Sequence, residues 1–293
     1  MRVGIWAAAG VAWLLCPAWC AQSDVPSGSG APTVLLRASV VDKSGNPVTN
    51  LPREAFKVFE GGVEQKVQVF RLEDGPMSIG VLVDISRSMK AVAANLRQAV
   101  ERFAGAAGPQ DEFFLVEFNN EAYLEVPRTT DARKLVRQLD SVRFDGGSAL
   151  LDAVYSGAVY FREARNPRKA LLILSDGTDN ESRHAKAEVM DLLERGDVQV
   201  YCIGIRADAG GRLLDELSSQ TGGVLLPSIK PKDLAEAAAR IAARMRSGYV
   251  LGYSPAGQRF GGRRALPTVK LSLPRGSPSL QVITGPGPKA PPQ

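Results

Sequence analysis

The sequence predicts an α/β fold with a doubly wound, mostly parallel sheet, and a small β-sandwich-like domain built from the two flanks of the chain. Between Met77 and Met245, apolar runs alternate with amphipathic helical stretches, as expected for strands that are buried on both faces. Before and after this core, the chain is rich in β-branched and aromatic residues separated by turn sequences. Because the termini of a domain often lie close together, we expect the flanks to pair, with the core inserted between them.

The N-terminal flank contributes the first strands. "TVLLRASVVD" and "AFKVFEGGVEQKVQVFR" read as strands, and "DKSGNPV" and "EGGV" supply the turns. Phe56 and Val58 fall on one face of a strand, as do Val67 and Val69 on the next. This flank is therefore predicted to be all β.

The core then alternates strands and helices. Its predicted strands are "SIGVLVD", "DEFFLVEF", "AYLEV", "KALLILSDG", "VQVYCIGI" and "GGVLLP". The first helix carries an apolar face of Val92, Leu96, Ala99, Val100 and Phe103. Further helices are predicted from Ala132, from near Leu150, from about Arg183, after Gly211, and along Leu234, Ala237, Ile241 and Met245. The C-terminal flank adds the strand candidates "GYVLGY", "TVKLSL" and "SLQVIT".

The first residues indicate export. Arg2 precedes an apolar run, Pro17 ends it, and the small residues of "AWCAQ" follow, which is the order of a secretory signal peptide. Cleavage is expected after Cys20 or Ala21, and an uncleaved membrane anchor is the alternative. The chain is thus divided into a signal peptide (1–21), a linker (22–32), a β-rich flank (33–75), the α/β domain (76–247), a β-rich C-terminal flank (248–284) and a disordered tail (285–293).

The composition is that of an ordinary folded protein. Of the 293 residues, 44% are hydrophobic and 23% charged, and the formal net charge is +5. No run of Lys and Arg is dense enough to follow a phosphate backbone, so we expect no nucleic-acid partner.

Polar side chains occur where predicted strands end. Asp84, Ser86 and Ser88 follow the first core strand, Ser148 stands just before a helix, and "LILSDGTDN" ends a strand at Ser175 and Asp176. In open α/β sheets, ligands bind outside the carboxyl ends of the strands. Hydroxyls and carboxylates are the oxygen ligands that a hard cation such as Mg²⁺ prefers. The sequence therefore predicts a metal site built from three loops.

The pieces "DISRS", "GGSAL" and "LSDGTD" resemble, in order and spacing, the metal-ion-dependent adhesion site (MIDAS) of von Willebrand factor type A (VWA) domains. The resemblance covers residues 77 to 247 and implies a VWA, Rossmann-like fold. It implies that Ser86 and Ser88 bind the metal directly and that Asp84 and Asp176 act mainly through waters or hydrogen bonds, with Ser148 as a further ligand. The implied metal is Mg²⁺, with Mn²⁺ or Ca²⁺ as alternatives.

The flanking pieces "FKVFEGG" and "GYVLGYSP" resemble a bacterial, exported subgroup of the family, which implies a secreted or periplasmic protein of the bacterial envelope. The implied function is adhesion-type protein binding, in which a partner's Asp or Glu completes the coordination of the metal. No small-molecule substrate is expected, and a membrane is a partner only if the N-terminal segment stays uncleaved.

Two residues depart from the family pattern. Ser148 stands where threonine is usual, and Arg87 stands where glycine is usual. The Arg87 guanidinium is expected to point to solvent, with the clamping of an acidic ligand as the alternative. Asp145 and Asp179 are predicted to be turn or supporting groups, and His184 a residue of a surface helix.

Three other interpretations compete with a binding module. A metal-assisted phosphohydrolase would use Asp84 or Asp176 as nucleophile or base. The three site loops contain no lysine or histidine, and no "GxxxxGK" phosphate loop occurs, so we expect a protein that is not an enzyme. A subunit of a cytoplasmic ATPase conflicts with the signal peptide. Each motif alone would also fit an ordinary helix cap or turn.

Overall fold

The computed structural model describes residues 34–206, 211–255, 267–274 and 277–287. The predicted signal peptide and linker, and residues 288–293 of the predicted tail, lie outside this range. The strands are β1 (Val34–Val41), β2 (Phe56–Glu60), β3 (Val63–Gln65), β4 (Val67–Glu73), β5 (Met77–Asp84), β6 (Glu112–Phe118), β7 (Ala122–Thr129), β8 (Arg168–Ser175), β9 (Val198–Ile205), β10 (Leu225–Ile229), β11 (Gly248–Tyr253), β12 (Thr268–Leu271) and β13 (Gln281–Pro286). The α-helices are α1 (Ala93–Ala104), α2 (Arg133–Gln138), α3 (Leu150–Tyr160), α4 (Lys186–Gly196), α5 (Gly211–Gln220) and α6 (Leu234–Met245).

The central sheet has the strand order β10-β9-β8-β5-β6-β7. All its pairs are parallel except that of β6 with the edge strand β7. Every residue of β5 is buried, because its alternate side chains enter two separate hydrophobic cores. Ile79, Val81 and Val83 pack into the core that includes α1 and α6, and Leu82 into the core that includes α3 and α4. The predicted doubly wound, mostly parallel fold is confirmed.

The flanks form two further antiparallel sheets, with the orders β13-β1-β11-β4 and β12-β2-β3. N- and C-terminal strands alternate in the four-stranded sheet, and in the three-stranded sheet the C-terminal β12 pairs with the N-terminal β2. The α/β core leaves from β4 and returns at β11, which are neighbours. A hydrophobic core separate from those of the central sheet includes Phe56 and Tyr249, whose rings lie 4.7 Å apart. The predicted β-rich companion built from both flanks is confirmed.

Three predicted boundaries shift. The helix expected from Ala132 begins at Arg133, and the one expected from about Arg183 begins at Lys186. The second shift has a clear cause, since the backbone N–H groups of Arg183 and His184 both donate to Asp152 Oδ1 on α3. The last strand continues to Pro286, inside the predicted tail, because Gly285 and Pro286 still pair with β1.

A buried ion-pair cluster joins the flank sheet to the α/β core. Arg37 of β1 donates from Nε to both oxygens of Glu73 at 3.1 Å. Its Nη1 and Nη2 donate to the two oxygens of Asp197, at 2.8 and 3.0 Å. Burial alone lowers the pKa of Arg37, but the hydrogen bond to Asp197 and the charges of Glu73 and Asp197 outweigh that effect and raise it. Arg37 is therefore a permanent cation that connects the two parts of the fold.

Within the described ranges, no helix is both long enough and apolar enough to cross a bilayer.

Deleting residues 248–293 is expected to expose the N-terminal flank to proteases. The deletion removes β11, which pairs with both β1 and β4, and with it Tyr249, whose hydroxyl donates to the Val48 carbonyl at 2.8 Å. Strands left without partners are marginal in water. Limited proteolysis followed by mass spectrometry should find new cuts within residues 34–73. Deleting only residues 288–293 is the control, and unchanged resistance in the longer deletion would contradict the pairing.

Candidate metal centre

The carboxyl ends of β5 and β8 place the first site residues. The two strands pair in parallel up to Val83 and Leu174, so their last residues, Asp84 and Ser175, lie at the same edge of the sheet. Asp176 follows immediately. Ser148 reaches this edge from the loop that precedes α3. Three sections of chain thus meet where the fold class predicts a ligand site.

Asp84 lies beneath this edge, with no exposed surface. Its Oδ1 accepts the backbone N–H of Ser86 at 2.9 Å, and its Oδ2 accepts the Ser175 hydroxyl at 2.6 Å. The Ser148 hydroxyl lies 3.5 Å from the same Oδ2. Burial raises the pKa of Asp84 to about 6, although the hydrogen bonds from Ser175 and Ser86 lower it. Asp84 therefore connects all three predicted loops.

A second chain of hydrogen bonds runs toward the surface. The hydroxyls of Ser86 and Ser88 lie 3.2 Å apart, and Ser88 donates to Asp176 Oδ2 at 2.6 Å. Asp176 Oδ1 accepts the backbone N–H of Thr178 at 2.9 Å, which holds the carboxylate in place. Ser88 is exposed and Asp176 half-buried, whereas Ser86 is buried. The structure thus brings together all five predicted site residues, Asp84, Ser86, Ser88, Ser148 and Asp176, and opens them to solvent on one side.

Glycine is required where the loops meet. Gly146 has φ +79°, and a Cβ there would lie 2.6 Å from Asn120 Oδ1. The Gly146 carbonyl accepts the backbone N–H of Arg87 at 3.2 Å, and the backbone N–H of Gly147 donates to Asn120 Oδ1 at 2.5 Å. The loop before α3 is therefore held against both neighbouring loops.

The loop after β8 fixes Ser148 from the other side. The Ser148 N–H donates to Asn180 Oδ1 at 2.8 Å, and its carbonyl accepts the N–H groups of Asn180 and Glu181. Asp179 Oδ1 accepts the N–H of Leu151 at 3.3 Å, so this carboxylate caps the first turn of α3, in agreement with its predicted supporting role.

Asn120 and Asn180 have no predicted role in this network, and Ser175 is predicted at the end of its strand but not as a ligand. Ser175 ends the strand before Asp176, so its position at the edge was readable from the sequence, but its bond to Asp84 was not. The two asparagines stand in loops without a periodic pattern, and only the folded chain brings them to Gly147 and Ser148.

The two flanking charges form an ion pair. Arg87 Nη2 lies 3.0 Å from Asp145 Oδ1, and both side chains are largely exposed, at 78% and 75%. The pKa of Asp145 lies below its ordinary value because the Gly146 N–H and the Arg87 guanidinium bind the carboxylate, with a further contribution from the charge of Lys90. Arg87 therefore lies at the surface beside the site, held by a carboxylate of the neighbouring loop.

The predicted location of His184 on a helix is wrong. His184 lies in the loop before α4, where its Nδ1 is 2.8 Å from Asp152 Oδ1 and its ring stacks on Tyr155 at 3.7 Å between centroids. Because its N–H also binds Asp152, the residue fastens this loop to α3 instead of continuing the helix.

The donor set fits a hard divalent cation. All the converging side-chain groups are oxygens, from serine hydroxyls and the two carboxylates of Asp84 and Asp176. No group of three or more His, Cys, Asp or Glu residues suited to a metal occurs in the described part of the chain. The hydroxyls are neutral, so Asp84 and Asp176 are the charged groups of this donor set.

Comparison with known proteins gives a family match. The model of the von Willebrand factor type A domain matches residues 78–234, slightly more than half of the chain. A von Willebrand factor type A structure from Catenulispora acidiphila has a TM-score of 0.52 at 13% identity, covering 88% of this chain and 75% of its own. The structure of proximal thread matrix protein 1 from the mussel byssus with a zinc-occupied MIDAS motif has a TM-score of 0.50 at 18% identity, covering 64% and 49%.

A curated relative, an uncharacterized protein of Borreliella burgdorferi, is 28% identical over 136 residues, which are 43% of this chain and 40% of the relative. The chain thus matches less than half the length of that relative.

Proposed function

Because this chain belongs to the family of von Willebrand factor type A domains, we propose that it is an exported, adhesion-type protein-binding module that uses a divalent cation to capture a carboxylate of its partner. The cation is Mg²⁺, with Mn²⁺ and Ca²⁺ as alternatives. The protein acts by binding and not as an enzyme. Export to the periplasm or the cell exterior rests on the sequence of residues 1–21.

One observation carries this proposal. The hydrogen-bonded chain Ser86–Ser88–Asp176 leads from the buried Ser86 through the exposed Ser88 to the half-buried Asp176. A site with this arrangement is anchored to the sheet and still accessible to a group on another molecule. The zinc-occupied MIDAS motif of the mussel byssus protein supports the cation, since that protein resembles this chain in fold.

Within the proposed site, each residue has a distinct task. The hydroxyls of Ser86, Ser88 and Ser148 supply neutral oxygens for direct contact, and the cation, when bound, supplies a Lewis-acidic centre for a partner's Asp or Glu. Asp84 orients the loops through the Ser86 N–H and the Ser175 hydroxyl. Asp176 orients Ser88. Because the direct ligands are mainly neutral, an external carboxylate gains more from binding than it would at a site rich in carboxylates.

The alternative is a metal-assisted phosphohydrolase on the same fold. It would use Asp84 or Asp176 as nucleophile or base, and these carboxylates already accept the hydroxyls of Ser175 and Ser88. His184, the one histidine of the sequence, is engaged with Asp152 and Tyr155. The binding module is therefore the better-supported function.

Carboxylate capture can be tested with immobilised peptides. One set carries a fixed aspartate between random flanking residues, and a matched set carries asparagine at the same position. In Mg²⁺ we expect the aspartate set to retain about tenfold more protein, corresponding to about 1.4 kcal/mol. The difference should vanish in EDTA and return with added Mg²⁺. Equal retention by the two sets would contradict the proposal, and turnover of p-nitrophenyl phosphate that is lost in Asp84→Asn would favour the enzyme.

A further inference from the structure

A cleft of about 830 Å³ lies directly beside the proposed metal site. The 3₁₀ helix Arg87–Val92 and the beginning of α1 form one wall, and residues 139–140 and 142–145 form the other. Leu139, Val142 and Phe144 are half-buried and pack against the core beneath, so the cleft has an apolar surface that remains accessible. This volume would accommodate several side chains of an extended segment.

The lining of the cleft is basic. Four cations, Arg87, Lys90, Arg97 and Arg143, face two carboxylates, Asp140 and Asp145, which leaves a formal charge of +2. Arg97 binds Asp140, and Arg87 binds Asp145. Among the described residues, no ion pair engages Lys90 or Arg143, and both are exposed. These two cations are therefore available to an anion from outside.

The cleft and the metal site share a boundary. Arg87 stands between the proposed ligands Ser86 and Ser88, and it belongs to the cleft lining together with Asp145. The backbone N–H of Asp145 donates to the Ile85 carbonyl at 3.0 Å, which holds this boundary together. A chain that offered a carboxylate at Ser88 and Asp176 would therefore continue over the Arg87–Asp145 pair into the cleft.

Resting on the function proposed above, we propose that the partner is an acidic peptide segment with two anchoring carboxylates, the first at the metal and the second in the cleft against Lys90 and Arg143. An apolar side chain between them covers Leu139, Val142 and Phe144. This division into an apolar floor and a charged rim is the usual anatomy of a protein–protein interface. Lys90 and Arg143 thereby determine which acidic segments the module selects.

The test uses synthetic peptides and the full mature protein in Mg²⁺. Each peptide contains aspartate, then leucine, then glutamate two, three or four residues after the aspartate, and each has a twin with glutamine in place of glutamate. We expect at least one glutamate peptide to bind about five- to tenfold more tightly than its twin, as two exposed charge pairs allow. Raising the salt concentration should reduce this preference.

The preference should disappear in Lys90→Ala/Arg143→Ala, whereas Mg²⁺ affinity measured by calorimetry is retained. It should also disappear in Lys90→Glu/Arg143→Glu, where the added negative charge favours Mg²⁺ binding. Lys66→Glu/Arg162→Glu makes the same change of charge at exposed residues outside the cleft, and it should keep the preference. Mg²⁺-dependent binding with equal affinity for every pair of twins would overturn the cleft proposal alone. Failure of every peptide to bind would overturn the metal-dependent function, and this inference with it. If anionic vesicles bind through Lys90 and Arg143 and no peptide is preferred, the cleft binds a membrane surface. That result would overturn the proposal of an acidic peptide partner.

Discussion

Replacing Ser86 and Ser88 together with alanine is expected to lower Mg²⁺ affinity by about 100-fold or more while the protein remains folded. The change removes two proposed ligands, and the loss of supporting groups alone lowers metal affinity 10- to 100-fold in other proteins. The fold should survive because Asp84 keeps the backbone N–H of Ser86 and the hydroxyl of Ser175 as hydrogen-bond donors. The free energy of unfolding should fall by only about 1 to 2 kcal/mol, the amount expected for the lost side-chain hydrogen bonds.

Calorimetric titration with Mg²⁺ and circular dichroism measure the two effects separately. Ser141→Ala/Ser219→Ala is a matched control, since both hydroxyls are exposed and donate only to a nearby backbone carbonyl. Aspartate-peptide retention should follow metal affinity in every variant. Unchanged Mg²⁺ affinity in Ser86→Ala/Ser88→Ala would show that these hydroxyls bind no metal and that the three loops are ordinary helix caps and turns.

Arg37→Met is expected to lower the free energy of unfolding by about 3 to 5 kcal/mol. Breaking a buried pair leaves uncompensated charge, and this cost exceeds the value of the pair itself. Here one guanidinium serves both Glu73, which is 8% exposed, and Asp197, and the Arg168 guanidinium that would remain near Glu73 lies farther away, at 3.9 Å. Methionine has a similar length, so the lost charge and hydrogen bonds dominate the effect.

Urea unfolding at neutral pH measures this change. Arg71→Met is the control, because Arg71 is exposed on β4 and no ion pair engages it among the described residues. It should alter stability by about 0.5 kcal/mol or less. Adding Glu73→Leu to Arg37→Met should recover part of the loss by removing one of the stranded charges. A cost of Arg37→Met no larger than that of Arg71→Met would show that the cluster contributes nothing to stability.

The core strands and the polar ends of β5 and β8 could be predicted because their signals are local. The apolar sequence of β5 indicates a strand buried on both faces. All eight of its residues, including the final Asp84, are buried in the structure. The first residues of a loop are likewise positioned by the strand before them. The sequence therefore places Ser86, Ser88 and Asp176 at one edge of the sheet without the order of its strands.

The contacts of residues farther into the loops could not be predicted from the sequence. Asn120 and Asn180 support Gly147 and Ser148 across separations of 27 and 32 residues, and no local pattern encodes such pairs. The position of His184 in the sequence suggests a helix. Its backbone N–H and Nδ1 instead bind Asp152, and this holds the residue in the loop before α4. A side chain that binds a distant element can override local propensity.

The sequence by itself determined the fold class, the pairing of the two flanks and the convergence of the site loops, since these follow from hydrophobic periodicity and from the polarity of parallel strands. Only the tertiary structure decided where unpaired charge remains. Arg37 and Arg143 are both arginines in ordinary surroundings of sequence, yet one lies buried between two carboxylates and the other lines an open cleft. Burial and ion pairing depend on which distant surfaces pack together, and that information is absent from any single stretch of the chain.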